Sequence, residues 1–68
     1  MHMETFDLEV TGKNNDGIRT IVIETRVDHE SRNVIVIIPI YYKESLEADI
    51  IRKASGIYKN YTVIARVE

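Results

Sequence analysis

A chain of 68 residues has room for one domain, and with 44% hydrophobic and 29% charged residues it reads as folded rather than disordered. It contains no cysteine, which excludes disulfides, thiol chemistry and a Cys-built zinc site. Its net charge of −2 gives no overall pull toward a polyanion.

The longest apolar run, residues 34–42, holds nine residues and is interrupted by Pro39. A membrane-spanning helix needs about 20. With no secretory leader pattern at the start, the expectation is a soluble cytoplasmic protein with no membrane partner. Met1-His2-Met3 reads as a cloning remnant ahead of a native start at Met3, so His2 is given no functional weight. Eleven isoleucines against two leucines suit a thermophile, an AT-rich genome or simply a β-rich core in which branched side chains pack well. A single domain over residues 1–68 with no cross-link is short of stability on its own, and oligomerisation is a common remedy.

Residues 5–11 alternate, with Phe6, Leu8 and Val10 on one side and Thr5, Asp7, Glu9 and Thr11 on the other. That is the period-2 pattern of a strand with one wet face. Residues 12–17, rich in Gly, Asn and Asp, predict a hairpin loop. A phosphate cradle there would need a helix to follow, and residues 18–27 read as a second strand instead. In that strand Ile21, Ile23, Thr25 and Val27 share one face, and Thr20, Val22, Glu24 and Arg26 share the other.

A polar turn over residues 28–33 precedes a third strand, residues 34–42, which is apolar on both faces and so reads as covered by neighbours. Pro39 cannot donate to a ladder, so the far half of that strand is an edge, a bulge or already leaving the sheet. A helix is expected next. Ser45 serves as its cap, Leu46, Ile50, Ala54 and Ile57 form its buried stripe with Ile51 alongside, and Gly56 stands just past its end. Residues 61–67 alternate again, with Tyr61, Val63, Ala65 and Val67 against Thr62, Ile64 and Arg66.

The expected fold is α+β, in the order β-β-β-α-β. It has a four-stranded mixed sheet, made of a three-strand antiparallel meander plus one parallel strand, with one helix packed on one face. Strand order 1-2-3-4 is preferred over 4-1-2-3, because an exposed edge as apolar as the third strand would aggregate.

One helix covers one face of such a sheet, yet the second face is not polar throughout. Val22, Ile64 and one side of the third strand would cross it as an apolar stripe. That side is taken as Ile35 and Ile37, the alternative being Val36 and Ile38. Charged neighbours Glu24, Arg26 and Arg66 border the stripe, which is the anatomy of a protein interface. The expectation is a homodimer, and a non-enzymatic binding or regulatory module that works through it.

Other chemistry is weaker. Asp28-His29-Glu30 sets an imidazole between two acids, as a metal site or general base would, but adjacent turn residues point apart and a polar turn explains them. Ser31, Ser45 and Ser55 have no recognisable His–acid partner. No catalytic residue, metal ligand or cofactor is assigned.

The charge is unevenly spread: residues 1–30 carry seven acids and three bases, and residues 31–68 four acids and six bases. Tyr41, Tyr42, Lys43, Arg52, Lys53, Tyr58 and Lys59 therefore form an alternative candidate, a single-strand nucleic-acid surface in which rings stack on bases and cations meet phosphates. Acids at Glu4, Asp7, Glu9, Glu24, Asp28 and Glu30 could conversely face a basic partner, provided the register puts Asp7, Glu9 and Glu24 on one face.

Overall fold

The computed structural model describes residues 1–11 and 17–68. Its elements are β1 (His2–Thr11), β2 (Ile18–Asp28), β3 (Asn33–Ile38), a 3-10 turn (Ile40–Tyr42), α1 (Lys43–Ile57) and β4 (Thr62–Val67). The strands form one sheet in the order β1-β2-β3-β4. Its β3–β4 pair is parallel and its other neighbours are antiparallel. Both the α+β class and the preferred strand order are therefore observed. The expected hairpin loop falls mostly on residues 12–16, outside the described residues, and β2 rather than a helix follows it.

Register explains the core. Phe6 lies opposite Ile23, Thr25 opposite Val36, and Val34 opposite both Val27 and Val63, so one apolar row after another crosses the same face. Leu46, Ile50 and Ala54 of α1 close over it, and Ile23, Val27, Val34, Val36, Ile38 and Ile50 have no exposed surface. Val34, Val36 and Ile38 thus point toward the helix, and Ile35 and Ile37 point away. The strand with two apolar faces sits inside the sheet, where both its edges are paired.

The sheet is not rectangular. All ten residues of β1 pair with β2, whereas β2 pairs with β3 only through Thr25–Asp28. The β1–β2 hairpin therefore runs on as a two-stranded arm, and the molecule measures 43 × 20 × 17 Å.

Local expectations need correction around Pro39 and at the helix end. β3 stops at Ile38, and Pro39 (φ −58°) turns the chain out of the sheet into the 3-10 turn. Of the three possibilities for the far half of this strand, leaving the sheet is the one observed. The departure is pinned by Ile40 N–H donating to Glu68 O (2.9 Å) and Glu68 N–H to Ile38 O (3.1 Å).

The 3-10 turn feeds α1 directly: Tyr42 N–H bonds Pro39 O at 2.8 Å, and Lys43 N–H bonds Ile40 O. The helix therefore starts at Lys43 with no side-chain cap, and Ser45 is an exposed first-turn residue rather than the cap. At the other end Gly56 lies inside the helix. The left-handed residue that reverses the chain is Asn60 (φ 70°). Ile57, expected in the buried stripe, is 47% exposed, and Tyr58 fills the last core position.

No helix among the described residues is long and apolar enough to cross a membrane.

Candidate functional site

The face of the sheet turned away from α1 is assembled by register. Met3 lies opposite Arg26, Arg26 opposite Ile35, and Ile35 opposite Ile64, so these four form one row across all four strands. The next row holds the pairs Thr5–Glu24 and Ile37–Arg66, and beyond it come Asp7–Val22 and Glu9–Thr20. Val22 is 59% and Ile64 45% exposed, while Ile35 and Ile37 are half-buried among their neighbours.

The four residues expected in an apolar stripe thus share one face, bordered by Glu24, Arg26 and Arg66. Asp7, Glu9 and Glu24 lie on the same face, toward the β1 side. Arg26 carries an unusual feature there: its Nη1 is buried and has no hydrogen-bond partner among the described residues. A buried cationic donor without an acceptor is costly.

A second constellation lies on the helix side, at the end of the sheet where β1 starts. His29 Nε2 donates to Glu4 Oε2 at 2.7 Å, and its Nδ1 meets the Tyr61 hydroxyl at 2.7 Å. The Tyr58 hydroxyl donates to Glu4 Oε1 at 2.8 Å, and Thr25 Oγ1 donates to the Glu4 carbonyl at 3.0 Å. Three pieces of chain meet here: the start of β1, the end of β2 with its turn, and the α1–β4 connection.

An ionised carboxylate only accepts, so it selects the proton on Nε2; in the neutral ring Nδ1 then accepts from Tyr61. Both ring nitrogens are occupied within the chain, and neither is directed at an incoming proton. The arrangement acts as a clasp between secondary-structure elements.

Asp28-His29-Glu30 forms the polar turn that the sequence favours rather than a metal or acid–base cluster. Asp28 Oδ1 instead accepts from the backbone N–H groups of Glu30 (3.1 Å) and Ser31 (3.4 Å), closing the turn. No group of three or more His, Asp or Glu suited to hold a metal ion occurs among the described residues.

The acid that does hold His29 comes from 25 residues away. One signal for it was present in the sequence: position 4 has the parity of Phe6 and Leu8, so it places an acid on the core side of an alternating strand. A carboxylate in that position needs donors, and the chain brings it two.

The donors have a thermodynamic consequence. The hydrogen bond from His29, and then that from Tyr58, hold the Glu4 carboxyl below the usual carboxylate range. Asp28 is held low as well, chiefly by its hydrogen bonds with Ser31. Burial, reinforced by the neighbouring Glu4, pushes the Tyr58 phenol up.

A carboxyl whose value is lower in the folded than in the unfolded chain binds fewer protons when folded. Its stabilisation is therefore present above the ordinary glutamate value of about 4.3 and is lost as pH falls through the lower folded value. Stability should accordingly drop on acidification below about pH 4.3, and Glu4→Gln should flatten part of that acid limb. Denaturant unfolding of both chains across the acid range measures this. The same acid slope in the variant as in the parent would show that Glu4 contributes none of it.

The tyrosine and basic residues of the nucleic-acid candidate are divided. Tyr41 is 85% exposed and stands edge-on to the half-buried Tyr42, beside Lys43. Arg52, Lys53 and Lys59 are exposed near the other end of α1, a 15-residue helix and so about 22 Å long. Arg52 is paired with Asp49 at 3.1 Å. Tyr58, the ring that would have joined the two groups, is buried in the clasp.

Comparison with protein-family models, with curated proteins and with solved structures finds no match to this chain.

Proposed function

We propose that the protein is a small non-enzymatic binding module that acts as a homodimer through the outer face of its sheet. One observation carries this reading: Val22, Ile35, Ile37 and Ile64 lie together on the face opposite α1, and Val22 and Ile64 remain about half-exposed or more. Exposed apolar side chains set among charged neighbours are what a protein interface looks like before its partner is in place.

A second copy is the simplest partner. A sheet face is flat enough to pack on its own image, as the two layers of a β-sandwich do at about 10 Å. A chain this short also gains most from such burial. The occupied nitrogens of His29 support the non-enzymatic part of the reading. The nucleic-acid reading retains Tyr41 beside Lys43, but Arg52 and Lys53 lie about 14 Å or more further along α1 and Lys59 lies beyond its end.

Light scattering after size exclusion, over a tenfold range of concentration, is expected to give twice the chain mass. Ile64→Lys puts a charge into the stripe on the edge strand β4, on an exposed side chain that the monomer does not need buried. It should raise the dissociation constant about tenfold or more, as expected when a charge is set into an apolar interface, and leave the circular dichroism spectrum unchanged. A parent chain that stays monomeric throughout would overturn the homodimer.

A further inference from the structure

We infer that the outer edge of β1 takes a further strand: an extended segment of a partner protein in which basic and apolar side chains alternate. This surface is separate from the apolar stripe and independent of the homodimer. β1 lies at one end of the strand order, so only one of its two edges is paired. All ten of its residues pair with β2 in consecutive register, with no bulge. Among the described residues, no backbone group of β1 bonds to any backbone but that of β2. β1 contains neither proline nor lysine, which commonly blunt such an edge. A regular edge repeats its free N–H and C=O groups at a spacing that another extended backbone matches. The opposite edge strand, β4, has only six residues.

The side chains along β1 set the chemistry of the occupant. Asp7 and Glu9 are exposed on the outer face, and among the described residues neither has an ion-pair partner. An added strand would place one side chain opposite each, about 5 Å away, where a base is favoured and an acid opposed. The position between these two lies opposite Leu8, on the helix side. There a groove of about 510 Å³ separates β1 from α1, lined by Leu8, Gly56 and Ile57 with Asp49, Arg52 and Lys53 alongside.

Ile57 is 47% exposed, and beyond its helix neighbours no atom lies within 4 Å of where a side chain on Gly56 would start. The groove therefore has apolar walls and room for a side chain. Asp49 is paired with Arg52 at 3.1 Å, so Lys53 sets the local sign and opposes a base. The two faces of the added strand are thus told apart, with bases toward Asp7 and Glu9 and an apolar side chain toward the groove. A second copy of β1 would bring its own acids to this edge, so the charges favour a basic segment of another protein.

A short, end-blocked peptide of alternating lysine and valine is the probe. Fluorescence anisotropy at low ionic strength is expected to show saturable binding. Asp7→Lys with Glu9→Lys should weaken it about tenfold or more, since attraction becomes repulsion at both positions. Both residues are exposed, so the core is untouched, and a thermal melt checks the fold. Hydrogen exchange, read amide by amide, separates strand addition from charge attraction alone. The alternate amides of β1 that face away from β2 should slow about tenfold or more with saturating peptide, and those of β4 should not.

Binding with that protection supports the added strand. No binding, binding that leaves β1 unprotected, or equal affinity for a peptide of alternating glutamate and valine overturns it. Protection of β1 in the chain alone, rising with protein concentration, would mean that a second copy fills the edge, and overturns it as well. The mass in solution, which tests the homodimer, is read separately from all of these.

Discussion

Replacing Ile50 with alanine is expected to destabilise the protein by about 3 to 4 kcal/mol, enough to leave much of it unfolded at room temperature. Ile50 is fully buried at the middle of α1, between Leu46 and Ala54 on the stripe that closes over the sheet. Isoleucine-to-alanine changes in cores cost about 2 to 5 kcal/mol, because the cavity adds to the lost transfer energy. This core has one helix on one sheet face, so few neighbours can move in to fill the space. At about 0.05 to 0.15 kcal/mol per residue, a chain of 68 residues has roughly 3 to 10 kcal/mol in total.

Ile51 is the internal control, half-buried beside the same stripe, and its alanine variant should cost about 1 kcal/mol. Urea midpoints at fixed protein concentration measure both, since dimerisation would add a concentration-dependent term. Equal losses for Ile50→Ala and Ile51→Ala would contradict the packing described here.

Tyr58 should divide into two effects of different size. Its ring closes the end of the core, beside Tyr61 with centroids 5.7 Å apart. Its hydroxyl meanwhile reaches Glu4 Oε1, with Thr25 Oγ1 3.3 Å away. Tyr58→Ala removes both and is expected to cost about 3 to 5 kcal/mol, as for other buried aromatic residues. Tyr58→Phe keeps the ring and should cost only about 1 kcal/mol. Thr25 still donates to the Glu4 carbonyl, and the freed carboxylate oxygen lies close enough to solvent to be hydrated. A Phe variant as damaged as the Ala variant would mean that the hydrogen bond, rather than the packing, secures the helix end.

The residues that misled or informed the reading of the sequence share a pattern. Alternation in β1 and β4 and the unbroken apolar character of β3 identified which strands were half-wet and which was enclosed, and from that came the strand order. The same parity placed Val22 and Ile64 on the outer face, while the register brought Asp7, Glu9 and Glu24 together there. Ser45 resembles a cap, but the helix starts three residues before the position that this cap would set. The 3-10 turn after Pro39 had already supplied the first hydrogen bonds.

Ile57 and Tyr58 were exchanged in role for a related reason. Helical periodicity favours Ile57, but the chain is leaving the helix there, and its exit rotates Tyr58 inward. His29 lies between Asp28 and Glu30 in sequence, but its partners, Glu4 and Tyr61, are brought to it by the sheet and the crossover.

What the sequence determined alone was whatever depends on local period and on side-chain polarity: the element order, the α+β class, the enclosed third strand and the two unlike faces of the sheet. Those signals repeat every two or every 3.6 residues and are strong because many residues contribute to each. Tertiary structure decided whatever depends on one residue meeting another far along the chain: the Glu4–His29–Tyr61 clasp, the burial of Tyr58, which side of β3 faces the helix, and the separation of acid from base across the outer face. Each of these turns on a register or a crossover, where a shift of a single residue would carry a side chain to the opposite face.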